Sequence, residues 1–264
     1  MIIIGEKINS SIPSVAGAIE KKDAAYIEKL ARDQVTAGAS FIDVNAGAFL
    51  AREIELLIWL VKVVQEAVDA PLCLDSPNAE AIAAVLPLVR RKAIINSISA
   101  EEERYRGVIP LVKQYQSSVI ALCMDDRGIP SDTGRRVEIA RALVKRLESD
   151  GIKREDIYLD AMVQPIGTDM NSGLAALEAV RIMKETLPGV HFTCGLSNVS
   201  FGLPKRKLLN QAYAVALAAY GMDTMFIDPL DERMMALLTA IETLVGRDDF
   251  CCDYLAAYRA GKLG

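Results

Sequence analysis

The sequence has a single histidine, His191, and a single tryptophan, Trp59. One histidine excludes zinc sites built from several imidazoles and makes His191 the sole candidate for any triad that needs one. The five cysteines, Cys73, Cys123, Cys194, Cys251 and Cys252, form no Cys-x-x-Cys pair. Three of them sit in apolar, strand-like runs, and an odd, scattered set predicts reduced thiols rather than a disulfide frame. No apolar stretch approaches the roughly 18 uninterrupted residues of a membrane span. Glu6 interrupts the apolar start too early for a signal peptide. Excess positive charge is missing as well: 30 Lys and Arg against 35 Asp and Glu give −5. That balance argues against nucleic acid or an anionic membrane as the main partner. Together these absences predict a cytoplasmic protein with free thiols. Neither G-x-G-x-x-G nor a P-loop signature occurs, so no nucleotide fingerprint follows the first strand-like run.

What is present is a repeating unit. Of 264 residues, 52% are hydrophobic and 25% charged, which suits a globular chain with a large core. Eight short β-like runs, IIIGEKIN, SFIDVNAG, PLCLDS, AIINSIS, SVIALCMDD, DIYLDAM, HFTCGLSN and TMFIDPL, each lead into a stretch with apolar residues at helical spacing. Several of those stretches stop at glycine, as helix ends do. Eight βα units with right-handed crossovers predict an α/β chain folded as a single (β/α)8 TIM barrel over residues 1–264. A doubly wound sheet usually has fewer strands. The tail CCDYLAAYRAGKLG is expected to form a short closing helix, Trp59 to lie in the core, and EEERYR to be a solvated first turn.

In such a barrel the active site forms where the strands end. Each β-like run here finishes in a carboxylate or an amide, at Asn9, Asn45, Asp75, Asn96, Asp125, Asp160, Asn198 and Asp228, with Glu6, Asp43, Asp126 and Ser197 close by. One such residue is an ordinary cap or turn former, but eight on one rim need a compensating ligand. Asp and Asn make paired hydrogen bonds to flat edges with adjacent N–H donors. A pterin offers such an edge, a ring N–H beside an exocyclic amino group. The stretch SNVSFGLPKRK brings Gly202, Lys205, Arg206 and Lys207, which suit a phosphate or the glutamate tail of a folate. A second reading is a metal-dependent lyase or hydrolase holding Mg²⁺ on Asp75, Asp125, Asp160 and Asp228; the mixture with amides and the missing Lys base count against it, and no metal ligand set is assigned. His191 starts its strand and is expected at the opposite end from the mouth.

The segments GEKIN (5–9), DVNAG (43–47), CLDS (73–76), INS (95–97), LD (159–160) and GLSNVSFGLPKR (195–206) resemble, in order and over essentially the whole chain, the pterin-binding methyltransferase family. That family includes the methyltetrahydrofolate:corrinoid protein methyltransferases and the folate module of cobalamin-dependent methionine synthase. The resemblance implies that Asp75, Asn96 and Asp160 hydrogen-bond the pterin ring. It implies that Asn198 reaches N5 as the catalytic residue, with Gly195, Ser197 and Arg206 as further contacts. It also implies methyltetrahydrofolate or tetrahydrofolate as substrate and a cobalamin carried by a separate corrinoid protein, met transiently at the mouth. No Asp-x-His-x-x-Gly corrinoid ligand occurs around His191. Homodimerisation through outer helices is expected too, with EIELLIWLVKVV as an apolar surface. Dihydropteroate synthase shares the barrel and is the alternative. It carries a phosphate site with a strand-seven Lys and a strand-eight Arg-x-His, where this sequence has Asn198 and FIDPLDE.

Overall fold

The computed structural model describes residues 1–263. Its strands are β1 (Ile2–Asn9), β2 (Phe41–Asn45), β3 (Leu72–Asp75), β4 (Ile94–Ser99), β5 (Ser118–Leu122), β6 (Ile157–Asp160), β7 (His191–Thr193) and β8 (Thr224–Ile227). Every ladder is parallel, and the order is β7-β6-β5-β4-β3-β2-β1-β8. Pairing of the first strand with the last curls the sheet round, and β7 meets β8 to complete a barrel of the expected α/β type.

The α-helices that surround it are α1 (Pro13–Glu20), α2 (Ala24–Thr36), α3 (Glu53–Ala67), α4 (Ala79–Val85), α5 (Glu102–Tyr115), α6 (Thr133–Ser149), α7 (Ser172–Thr186), α8 (Arg206–Ala219), α9 (Glu232–Leu244) and α10 (Cys252–Arg259). Four start on an acid or amide that accepts from the first turn: Asp23 from Tyr26 N, Asn78 from Glu80 N, Asp132 from Arg135 N and Asp231 from Met234 N. Helix α1 precedes the helical stretch read from the sequence; Pro13 stands at its first position, where a missing N–H costs nothing. Helix α3 buries Leu56, Leu57, Leu60, Val61 and Val64 against its neighbours, so most of its apolar surface is barrel packing rather than a free face. Trp59 is partly buried against that core. The EEERYR turn departs from expectation. Tyr105 is fully buried, its ring lies 3.6 Å under the Arg146 guanidinium, and its hydroxyl donates to Asp150 at 2.8 Å. The helical period at Tyr105, Val108, Ile109 and Val112 turns the aromatic inward despite its charged neighbours.

The apolar interior has two parts. The larger cluster fills the space between sheet and helices. A smaller one, Ile4, Cys73, Ile94, Ile120 and Tyr158 with Ile2, Phe41, Leu122 and Phe226, takes its members from seven strands and fills the barrel itself. Side chains alternate along a strand, so residues two positions further on face the same interior. On β2, β3, β4, β6 and β8 those residues are Asp43, Asp75, Asn96, Asp160 and Asp228. The apolar plug thus passes, within one layer, into a polar mouth.

Candidate active site

Register brings the mouth together. Asn45 is the Cα partner of Asp75, and Asp75 is that of Asn96. Asn45 Nδ2 donates to Asp75 Oδ2 at 2.9 Å. The backbone after β3 is held by two further elements. The buried Glu53 of α3 accepts from Ser76 Oγ, and Arg104 of α5 donates to the carbonyls of Ser76, Pro77 and Ser97. Arg104 thereby clamps the ends of β3 and β4, the strands that present Asp75 and Asn96. These two residues line one depression with Arg104, Ser97 and Leu122. The Asn96 amide has no side-chain partner among the described residues. Unfilled hydrogen-bonding capacity at a half-buried position is what a planar polar ligand requires.

Asp160 ends β6. Its Oδ1 accepts from Met162 N at 2.7 Å. Burial raises its pKa to about 6, against the pull of backbone N–H groups of Met162 and Gly195 and the charge of Arg136. Gly195 starts the turn after β7 that carries Asn198. A Cβ at Gly195 would stand 3.0 Å from Asn198 Nδ2, so glycine leaves room for that amide against the backbone. Asn198 itself is exposed, and its amide takes no side-chain partner among the described residues.

Ser197 and Arg206 face a different part of the rim. Arg206 donates to Ser197 O at 2.7 Å and Ser200 Oγ at 3.1 Å, which fastens the turn bearing Asn198 to the start of α8. Its guanidinium is committed to the protein. Both residues line a cavity of about 430 Å³ at β1 and β8, with Glu6, Lys7, Lys207 and Asp228. The expected site residues therefore form two adjoining groups, one around Asp75 and Asn96, the other around Ser197 and Arg206.

Asp125 does not join the mouth as expected. Strand β5 stops at Leu122, and Asp125 pairs with Arg127 and Arg135 in an outer depression. Among the described residues, no three His, Cys, Asp or Glu side chains lie where they could hold an ion together. His191 lies at the far end, stacked on Tyr158 at 4.6 Å and paired with Asp223 at 3.5 Å.

Three mouth residues were left without a role by the sequence. Lys7 pairs with Asp228 at 2.9 Å. Glu6 beside them has its pKa pushed up to about 7 by burial and by Asp228, with Lys7 and Arg206 opposing. Asp43 is fully enclosed, and burial followed by the charge of Asp75 raises its pKa well above its ordinary value; its Oδ1 has no partner among the described residues. The signal for the two carboxylates was visible as the alternation Ile4-Glu6 and Phe41-Asp43, which puts each directly above an apolar layer.

A barrel closed by apolar side chains below, with a mouth of carboxylates and amides above, is the frame of a pterin-binding enzyme. A family profile described as pterin binding enzyme matches residues 6–228. The chain belongs to this family, in its methyltransferase branch. It is 39% identical over 266 residues to the methylcorrinoid:tetrahydrofolate methyltransferase of Eubacterium limosum, covering 100% of this chain and 98% of that protein. It is 26% identical over 240 residues to the methionine synthase of Mycobacterium leprae, covering 86% of this chain but 20% of that protein. Dihydropteroate synthase from Yersinia pestis superposes with a TM-score of 0.69 at 17% identity, over 92% of both chains, which establishes the shared fold alone.

Proposed function

We propose that the chain, as one pterin-binding unit over residues 1–264, moves a methyl group between N5 of tetrahydrofolate and the cobalt of a corrinoid carried by a separate protein. What carries this reading is the end-to-end relationship to a methylcorrinoid:tetrahydrofolate methyltransferase. The mouth chemistry supports it. Asp75 accepts from the ring N–H and exocyclic amino group, Asn96 donates and accepts along the same edge, and Asp160 takes a further N–H. Asn198 meets N5, and Gly195, Ser197 and Arg206 shape the turn that aims it. The corrinoid supplies the cobalt that gives or takes the methyl. His191 is engaged with Tyr158 and Asp223 at the closed end, so it is not available to ligate that cobalt.

The difficulty lies at N5. A methyl on a tertiary amine leaves poorly, because the nitrogen left behind is a strong base. Positive charge or a proton on N5 must accompany the transfer, in whichever direction it runs, since both directions share one transition state. Asn198 offers N5 a hydrogen bond that strengthens as the charge changes, and ordered water completes the proton path. The test is Asn198→Ala in single-turnover transfer between methylcobalamin and tetrahydrofolate. Losing one transition-state hydrogen bond is worth roughly 2–4 kcal/mol. The rate should therefore fall about 30- to 1,000-fold, while the folate Kd moves far less. An unchanged rate would overturn the role of Asn198.

We also read the protein as a cytoplasmic homodimer that meets the corrinoid protein transiently. No helix is long and apolar enough to cross a membrane among the described residues. Around α10, Phe250, Leu255 and Tyr258 are exposed, whereas α3 buries most of its apolar side chains. Sedimentation of Tyr258→Glu against the parent chain tests the dimer.

A further inference from the structure

We infer that Asn45 is a positioning residue that sets the orientation of the Asp75 carboxylate for folate, without touching folate itself. The inference rests on the pterin reading of Asp75 given above.

The geometry of Asn45 has one solution. Its Oδ1 accepts from Ser10 Oγ at 2.8 Å and from Gly47 N at 3.0 Å. Ser10 Oγ in turn accepts from Ala48 N at 3.0 Å. A backbone N–H cannot become an acceptor, so a flipped amide would set its NH2 against the Gly47 donor. Nδ2 must therefore face Asp75, and it does, at 2.9 Å. Backbone from β1 and from the turn after β2 thus fixes the direction in which Asp75 receives its hydrogen bond. No other side chain donates to Asp75 among the described residues. Arg104 places one bond from each of its three nitrogens on the Ser97, Pro77 and Ser76 carbonyls, makes no hydrogen bond to Asp75 among the described residues, and acts on it through its field.

This matters because a pterin presents two parallel N–H donors. They need both carboxylate oxygens as acceptors in one plane. The Asn45 bond uses one lone pair of Oδ2 and leaves the other, with all of Oδ1, facing the mouth. Without it the carboxylate is free to rotate. A proton on either oxygen would also turn an acceptor into a donor and clash with the ligand. The titratable and charged groups facing Asp75 are Asp43 on β2, Cys73 on β3, Glu53 on α3 and Arg104 on α5. Burial already raises the Asp75 pKa and the Asn45 bond opposes that rise. Removing Asn45 pushes protonation toward neutral pH.

The experiment is tetrahydrofolate titration of Asn45→Ala between pH 5.5 and 8, with single-turnover transfer at saturating folate. Affinity should fall about tenfold or more at pH 7, as for loss of a hydrogen bond to a charged group. The deficit should widen as pH falls, and the saturated rate should fall much less than the affinity. A purely structural role would lower rate and affinity together with no pH dependence, and that result overturns the inference. Ser10→Ala, which removes one of the two donors that fix the amide, should shift the same profile in the same direction by a smaller factor, and it serves if Asn45→Ala fails to fold. Asp75→Ala separates the two readings. If it leaves folate affinity unchanged, the pterin role of Asp75 falls. If it abolishes binding while Asn45→Ala and Ser10→Ala bind and titrate like the parent chain, only the positioning role falls.

Discussion

Glu6 should make this protein less stable as pH rises from 4.5 to about 7, and Glu6→Gln should remove that penalty. The Glu6 carboxyl is largely enclosed at the mouth, next to Asp228, and its pKa stands at about 7 instead of 4.5. Below pH 4.5 the group is protonated in the folded and the unfolded chain, and contributes nothing to their difference. As pH rises above 4.5, the unfolded chain releases the proton and the folded chain keeps it. Stability then declines until the folded carboxyl ionises near pH 7, and stays lower above that. At 1.36 kcal/mol for each pH unit, the span from 4.5 to about 7 amounts to about 3 kcal/mol, an upper figure for a mouth open to water. A glutamine amide in place of the carboxyl stays neutral throughout. The Glu6→Gln variant should match the parent chain near pH 4.5, gain on it to about pH 7 and hold that gain at pH 8. Urea unfolding followed by the fluorescence of the single Trp59, with circular dichroism as a second probe, measures this. With m near 2–3 kcal/mol/M, the midpoint difference should grow by about 1 M between those limits. A difference of equal size at pH 5 and pH 8 would mean that Glu6 ionises normally and that the mouth is more hydrated than its burial indicates.

Two further outcomes follow from the same rim. Arg104→Met removes three bonds to carbonyls of the β3 and β4 ends; folate affinity should drop about tenfold, and the thermal midpoint should fall by several degrees, read by isothermal titration and calorimetry. The folate tail leaves the pterin beside N5, hence on the Asn198 side, toward the cavity with Lys207. Lys207→Glu should therefore weaken triglutamyl tetrahydrofolate more than a tetrahydropterin without a tail, by about tenfold at low salt, with the gap closing as salt screens it. Equal effects on both ligands would place the tail elsewhere.

The barrel was legible because each strand carries an apolar stretch that stops at a polar residue, and that boundary is the top of the interior plug. Asp75, Asn96 and Asp160 could be named from their place just past Cys73, Ile94 and Tyr158. Asp125 misled for a local reason. Its strand stops three residues sooner, and Arg127 and Arg135, close in sequence, capture the carboxylate on the outside. Tyr105 misled because charge counts describe one face of a helix and hide the other. Partners distant in sequence were out of reach altogether. Nothing in a linear reading joins Arg104 to Pro77, Ser10 to Asn45, or Lys7 to Asp228.

The shared fold with dihydropteroate synthase leaves the strand ends to distinguish the two chemistries, and here charge decides. A phosphate-handling mouth needs cations with nothing else to bind. Strand β7 runs His191-Phe192-Thr193 into Gly195 without a lysine, and β8 runs into Asp228. Lys7 is neutralised by Asp228, and Arg206 is tied to Ser197 and Ser200. A phosphate entering this mouth would meet Glu6, Asp75, Asp160 and Asp228, with Lys207 at the cavity edge, itself 3.7 Å from Asp231, as the remaining offset. For the proposed methyl transfer the same crowding helps. At Glu6 the charge of Asp228 adds to burial in raising the pKa to about 7, and that same negative field favours a proton, or developing positive charge, on an amine placed beside it. N5 is such an amine, and its charge is what the transfer needs. The acidity of the mouth then acts on the reaction itself, and Asn198 directs it to one atom.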